Sequence, residues 1–468
     1  MHFVVRSRKF HSPKDYSRRP LPPNGGWTYS FFSAALFALV LGATVTIPAL
    51  FLFKDHLPAR VQYLPRYVET QIKRRQPHPA YVPTPTARRE SAPPLIEVAL
   101  KAAAPTVAPA PVTSSTGAAN VRSAAREADA PRNPAVGAVA RAMQEPAPVA
   151  APSPAVAVAP ALPVTVLQGV HHEYQRWNNC GPVTIGMQLS FFGRTETQFQ
   201  TAPFLKPDPD DKNVSPDELV AYARSIGFES FASVGGDLDL LKRLVSNQFP
   251  VIVESWFIPE PKDEMGHYLL FIGYDDATGE LIFNDSYEGP NRHVKAAEFD
   301  RLWQVFNRTF VLSYPPERAP VAQAILGELG DSQAMYTHAL HIAQAEVAAD
   351  QNNRYAWFNL GSSFVGLGEM EKAAEAFDQA RSLKLPWRML WYQFGPFQAY
   401  YAVGRYQDVI DLATANLHTT GDLEESFYWR GRAQQALGNL DSARRDYQQA
   451  LRYNKNFTAA ADALAALQ

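Results

Sequence analysis

The chain has 468 residues, room for about three domains, with 44 basic and 46 acidic side chains. That near balance leaves no electrostatic footprint for nucleic acid or another polyanion. Its single cysteine excludes an intramolecular disulfide framework and a cysteine-built structural zinc site, and no cofactor is expected.

Residues 1–26 are basic and irregular (Arg6, Arg8, Lys9, Lys14, Arg18, Arg19). Residues 27–53 then carry no charge, a length that crosses a bilayer as a helix, with Trp27 and Tyr29 at one interface and Lys54 past the other. The apolar run is too long for a signal peptide, so the pattern predicts an uncleaved single-pass anchor in the cell membrane. The basic tail places the N-terminus in the cytoplasm and the bulk of the chain outside. Residues 54–163 are dominated by Ala, Pro, Val, Thr and Ser, which bury too little apolar surface to offset ordering entropy; they read as a disordered tether.

Globular composition begins near 164 and runs to 316. The stretch QRWNNCGPVTIGMQLSFF, Gln175 to Phe192, reads as a loop followed by a helix that opens at Cys180. Pro182 suits a first turn, Val183, Met187, Phe191, Ile185, Leu189 and Phe192 form an apolar face, and Gly193 ends it. A thiol at a helix N-terminus meets the positive end of the dipole and unpaired N–H groups, which lower its pKa and suit it to be a nucleophile. Next comes an acidic loop with Asp208, Asp210 and Asn213. It lacks the central glycine and terminal glutamate of a calcium hand, so no metal is expected. Ser215, Pro216 and Glu218 predict a capping box, Gly235-Gly236-Asp237 starts a further helix, and PVIVESW (250–256) reads as a buried strand.

Residues 267–285 read as two strands about a DDATG turn. Pairing them symmetrically sets His267 opposite Asp285 on one face, with Asn284 or Ser286 as the competitor if the register slips. A histidine that gives one ring N–H to a carboxylate and meets a thiol with its other nitrogen is the general base that thiol chemistry needs. Gln175, five residues ahead of Cys180, could join the Cys180 N–H as an oxyanion donor. Trp177 walls the cleft or anchors its loop. The domain closes with the amphipathic AAEFDRLWQVF and the strand RTFVLSY.

The order Gln175, Cys180, His267, Asp285, in the motifs YQRWNNCGP, GHYLLFIGYD and FNDS, resembles the papain-like cysteine peptidases. It looks closest to the double-glycine leader peptidases of bacteriocin exporters and their stand-alone relatives. The resemblance implies an α+β papain-like domain with Cys180 as nucleophile, His267 as base, Asp285 as its orienter and Gln175 as oxyanion donor. In exporter-linked members the glutamine usually stands six residues ahead of the cysteine, and here no ATP-binding motif G-x-x-x-x-G-K-[ST] follows.

From 319 to 468 the pattern is that of an all-α solenoid. Trp357, Leu360, Gly361, Phe364, Ala373, Phe377 and Ala380 fit the tetratricopeptide (TPR) repeat, and Gly368/Ala373, Gly404/Val409 and Gly438/Ala443 recur at about its 34-residue period. The middle copy is degenerate, and a weaker one precedes it at 320–350. Such stacks bind extended peptides or proteins. The expected function is hydrolysis of a peptide or protein substrate outside the membrane, with the repeats recruiting a partner. Two other readings stay open: a non-catalytic peptide-binding scaffold, and an acyltransferase using the same triad.

Overall fold

The computed structural model describes residues 80–85, 158–159, 161–208, 211–259 and 264–467. The basic tail 1–26, the apolar span 27–53 and most of the tether expected over 54–163 lie outside the described residues. Among the described residues no helix is long and apolar enough to cross a membrane.

The first domain begins with strand β1 (Val164–Val166), then helices α1 (Cys180–Ser190), α2 (Gln198–Leu205) and α3 (Pro216–Ser225). Strand β2 (Glu229–Ser233), helix α4 (Leu238–Ser246) and strands β3 (Val251–Phe257), β4 (Met265–Asp275), β5 (Glu280–Asp285) and β6 (Gly289–Lys295) follow. Helix α5 (Ala296–Gln304) and strand β7 (Phe310–Tyr314) complete it. Local chemistry sets the helix starts. The Ser215 hydroxyl accepts from the Glu218 N–H in a reciprocal capping box, and Asp237 Oδ1 accepts from the Leu240 N–H at 2.6 Å.

The strands form one antiparallel sheet in the order β2-β7-β3-β4-β5-β6, with β1 pairing the far end of β4. Helix α1, expected to bury one face, is instead buried all round from Gly181 to Leu189. It packs against β3 and β4 on one side and α2 and α3 on the other. Its buried polar side chains are held by neighbouring backbone: Gln188 Nε2 donates to the carbonyls of Pro250 and Val311, both at 3.0 Å, while its Oε1 has no partner among the described residues.

The second part is helical: α6 (Ala319–Leu326), α7 (Ser332–Ala349), α8 (Arg354–Gly366), α9 (Met370–Ser382), a 3-10 helix (Trp387–Trp391), α10 (Gly395–Ala402) and α11 (Tyr406–Thr419). Helices α12 (Glu424–Ala436), α13 (Leu440–Tyr453) and α14 (Thr458–Ala465) end it. Antiparallel pairs α8–α9, α10–α11 and α12–α13 match the three expected copies. The middle copy departs most: Val409 fills the small-residue position, fully buried, and the 3-10 helix is inserted ahead of it.

The two parts share an interface. Asn359 Nδ2 donates to the Gln304 carbonyl at 2.7 Å, Gln393 Nε2 to the Val305 carbonyl at 2.9 Å, and Arg388 Nη1 to the Glu264 carbonyl at 3.0 Å. Within the expected tether, Tyr81–Pro83 departs from a structureless reading. Val82 is 3% exposed and joins the apolar core of the repeats, because its neighbours supply backbone pairing there.

Candidate active site

Cys180 is the first residue of α1, so its own N–H is not spent within the helix. The loop before it is held from several sides. Gln198, itself buried, accepts from Arg176 N at 2.8 Å and Asn179 Nδ2 at 3.0 Å, and Glu173 and the Tyr174 carbonyl hold its amide in turn. Asn178 adopts φ +58°, a left-handed conformation asparagine tolerates, and its side chain donates to the Asp211 carbonyl at 2.8 Å. Lys206 Nζ donates to the Asn178 carbonyl at 3.0 Å.

His267 stands on β4, 5% exposed, and Asp285 ends β5, fully buried. The expected register differs from the observed one. Leu270 pairs with Asn284 and Phe271 with Phe283, while a bulge at Ile272 shifts the pairs nearer the turn by one. Asp285 is therefore two residues along from direct opposition to His267 but on the same face. The contact survives as a diagonal one: His267 Nε2 and Asp285 Oδ1 are 2.9 Å apart. Asn284 does not compete, since its Oδ1 accepts from the Asn291 N–H at 3.0 Å.

The remaining histidine nitrogen is left for Cys180, to which the ring is hydrogen-bonded. Burial pushes the thiol up, yet the bond and charge of His267, the Tyr268 backbone N–H and the Lys206 ammonium together hold it below its ordinary value. Burial pushes His267 down, but its bonds to Asp285 and Cys180 raise it to about 10. Asp285 is likewise raised by burial and lowered further by His267 and the N–H groups of Tyr287 and Glu288, to about 2. Those N–H groups donate at 2.7 and 3.2 Å, and Arg292 Nη1 donates to Oδ2 at 3.1 Å. The arrangement thus favours thiolate, imidazolium and carboxylate in line.

Gln175 joins the group through Ser286. Its N–H donates to the Ser286 carbonyl at 2.8 Å, and its Oε1 accepts from the Ser286 hydroxyl at 2.7 Å. With the oxygen engaged, the amide NH2 is the end left to donate elsewhere. All four residues singled out in the sequence are therefore gathered. Sequence reasoning missed Arg292, Tyr268 and Lys206, and it weighed Ser286 only as a competitor for His267, not as the partner of Gln175. It also missed Glu254, buried and on the strand beside Ser255, whose carboxyl burial and the charge of Cys180 push well upward.

Beside His267 lies a cavity of about 460 Å³ lined by Ser255, Phe257, Leu269, Asp285, Arg292 and Phe299, among others. The repeats supply part of the neighbouring wall. A Cβ on Gly266 would lie 3.1 Å from both the Tyr392 and Phe306 rings, so glycine there lets Tyr392 close on the strand that carries His267. Of the calcium ligands weighed in the sequence, Asn213 donates its Nδ2 to Glu425 at 2.8 Å, and Asp210 lies outside the described residues. Among the described residues no group of three or more His, Cys, Asp or Glu side chains is placed to hold a metal ion.

Residues 167–311 match the model of the Peptidase_C39 like family, and residues 355–384 and 424–457 match tetratricopeptide repeat models. No curated protein matches the chain. Among solved structures, the chain is similar to MamA at 16% identity, over 31% of this chain and 81% of that one, with a TM-score of 0.26. It is similar to the peptidase domain of Streptococcus ComA, a bifunctional ABC transporter of quorum sensing, at 18% identity over 31% of this chain and 96% of that one, TM-score 0.25. A double glycine motif protease from an AMS/PCAT transporter, solved with its leader peptide, is 19% identical over 32% of this chain and 98% of that one, TM-score 0.24. Residues 167–311 are thus a Peptidase_C39-like domain, and tetratricopeptide repeats follow it in the same chain.

Proposed function

We propose that the Peptidase_C39-like domain is a cysteine peptidase that hydrolyses a peptide bond in a peptide or protein substrate brought by the repeats. The observation that carries this is the hydrogen-bonded line from Cys180 through His267 to Asp285. In this reading the Cys180 thiolate attacks the scissile carbonyl carbon and forms a tetrahedral oxyanion. The Cys180 N–H and the Gln175 amide donate to that oxygen. The oxyanion collapses to a thioester as the C–N bond breaks, and the ring nitrogen of His267 facing the thiol protonates the leaving amine. His267 then takes a proton from water, whose oxygen attacks the thioester, releasing the acid and the thiol. Asp285 keeps the ring oriented and its cation stabilised throughout. The proposal includes the single-pass anchor at 27–53, with residues 1–26 inside and the peptidase domain outside.

The test is incubation of the full-length chain with a mixed peptide library, read by mass spectrometry. New termini that vanish in Cys180→Ala support hydrolysis. Products carrying an added amine would replace hydrolysis by acyl transfer. Retained but uncut peptides, with an inert thiol, would leave a binding scaffold.

A further inference from the structure

The tether segment Tyr81–Pro83 is seated on a built shelf at the end of α9. Tyr81 forms an isolated antiparallel bridge with Pro386, and the Val82 N–H donates to the Leu385 carbonyl at 2.9 Å. Val82 is 3% exposed among the apolar residues of the repeats, whereas Tyr81 stays 46% exposed. Beyond them, the Pro83 carbonyl accepts from Arg381 Nε at 2.8 Å. Arg381 is 2% exposed, and its Nη1 is paired with Asp408 at 3.2 Å under the Tyr400 ring. A buried arginine thus directs one N–H at the segment, and an empty shelf would leave that N–H without the carbonyl it holds.

The shelf is held in shape by the repeats themselves. Lys384 adopts φ +64°, and its carbonyl accepts from Arg354 Nη1 at 2.6 Å. The seated residues suit this frame. An extended backbone pairs with Leu385, a β-branched side chain fills the apolar site, and proline loses nothing because its position uses only a carbonyl. The shelf also continues directly into the peptidase wall. Pro386 leads into the 3-10 helix, whose Arg388 holds the Glu264 carbonyl, and the next residue, Tyr392, packs on Gly266 beside His267.

We propose that this shelf is an exchangeable docking site for extended aromatic–valine–proline segments, occupied within the chain by its own Tyr81–Pro83, and that its occupancy holds residues 385–392 against the peptidase domain. Because tether and shelf belong to one chain, docking is intramolecular, and a small contact suffices to fill the site. A segment of the same chemistry on another protein would compete for it. This inference does not depend on Cys180 being a nucleophile.

The test uses the full-length chain and a fluorescent peptide of residues 80–85, AYVPTP. With Val82→Asp in the chain, the labelled peptide is expected to bind at least tenfold more tightly than to the unsubstituted chain, whose own tether blocks the site. A peptide carrying Val82→Asp is expected not to bind. Amide exchange across 385–392 is expected to rise in the Val82→Asp chain and to fall again when AYVPTP is added. A Val82→Asp chain of unchanged melting temperature that ignores millimolar peptide would overturn the docking site. Exchange at 385–392 that is indifferent to Val82→Asp would overturn the link to the peptidase wall.

Discussion

His267 gives its Nε2 to Asp285 at 2.9 Å and so turns its other ring nitrogen to the Cys180 thiol. The pairing lies on a diagonal of the β4–β5 ladder rather than straight across it, and Asp285 is further pinned by Arg292 and two backbone N–H groups. A lowered thiol and an imidazole raised to about 10 define a pH window in which the ion pair exists, closed on its alkaline side near 10.

Removing the ring closes that window. In His267→Ala the thiol loses its largest downward influence while burial still pushes it up, so its midpoint moves to or above the ordinary ~8.5. Iodoacetamide alkylation of Cys180 against pH reads this directly, and the rate at pH 7 should fall more than tenfold. An unchanged midpoint would dissolve the ion pair. In Asp285→Asn the imidazolium loses its carboxylate, His267 falls, and the alkaline limb of any activity profile retreats to lower pH. We expect kcat/KM to drop by roughly 10²-fold or more.

Gln175 separates transition-state stabilisation from thiol activation. It is not among the groups that move the thiol, so Gln175→Ala should leave the alkylation profile in place. If its NH2 meets the oxyanion, kcat should fall by about 10²–10³-fold, roughly 3 kcal/mol, with KM little changed. A shifted alkylation midpoint, or a loss confined to KM, would reassign Gln175 to holding the loop through Ser286.

Much of this site could be read from residue order because its parts are local. A helix opening at Cys180, a hairpin turn and a capping box each depend on a few adjacent residues. The register was not legible, since residues 276–279 separate the Asp275–Glu280 pair at the turn, and one bulged residue, Ile272, then changes the pairing by one and leaves no compositional mark. β6 was missed because GPNRHVK carries proline, asparagine and alternating charges that favour an edge rather than a core strand. The partners of the cysteine loop were hidden for another reason. Gln198, Lys206 and Asp211 look like surface residues in sequence, yet Gln198 and Lys206 are buried against the cysteine loop and Asp211 beside Glu424 of the repeats.

That packing has a pH dependence of its own. Asp211 and Glu424 are buried where the loop meets the start of α12, and Glu425 Oε1 is held by Asn213 there. Burial raises all three carboxyls, and each is raised again by a neighbouring carboxylate. Lys206 opposes this at Asp211, Asn454 Nδ2 at Glu424 and Glu218, and Lys212 is paired with Asp422. Folded-state values above the unfolded ones mean that the contribution is complete below the ordinary carboxyl range of about 4 and is lost as pH rises towards the raised values. Amide exchange at 211–214 and 424–428, corrected for intrinsic rates, should therefore quicken with pH, and Asp211→Asn should flatten the trend. A pH-independent joint would show that these carboxyls ionise freely in place.

The repeats offer a packing test that is independent of any chemistry. Gly361 on α8 faces the Phe377 ring of α9, and a Cβ there would sit 2.7 Å from the ring edge. Phe377 is fully buried among the repeat residues and in edge contact with Phe358, so the ring cannot simply swing away. Gly361→Ala must push the two helices apart, which overpacking data put at about 1–3 kcal/mol. Alanine's better helix propensity, close to 1 kcal/mol, offsets part of that. The net expectation is a lower melting temperature, with alkylation of Cys180 unaffected at temperatures well below it. If Gly361→Ala instead matches or exceeds the stability of the unsubstituted chain, the α8–α9 contact is looser than the ring geometry requires, and the close helix pairing assigned to this repeat would have to be abandoned.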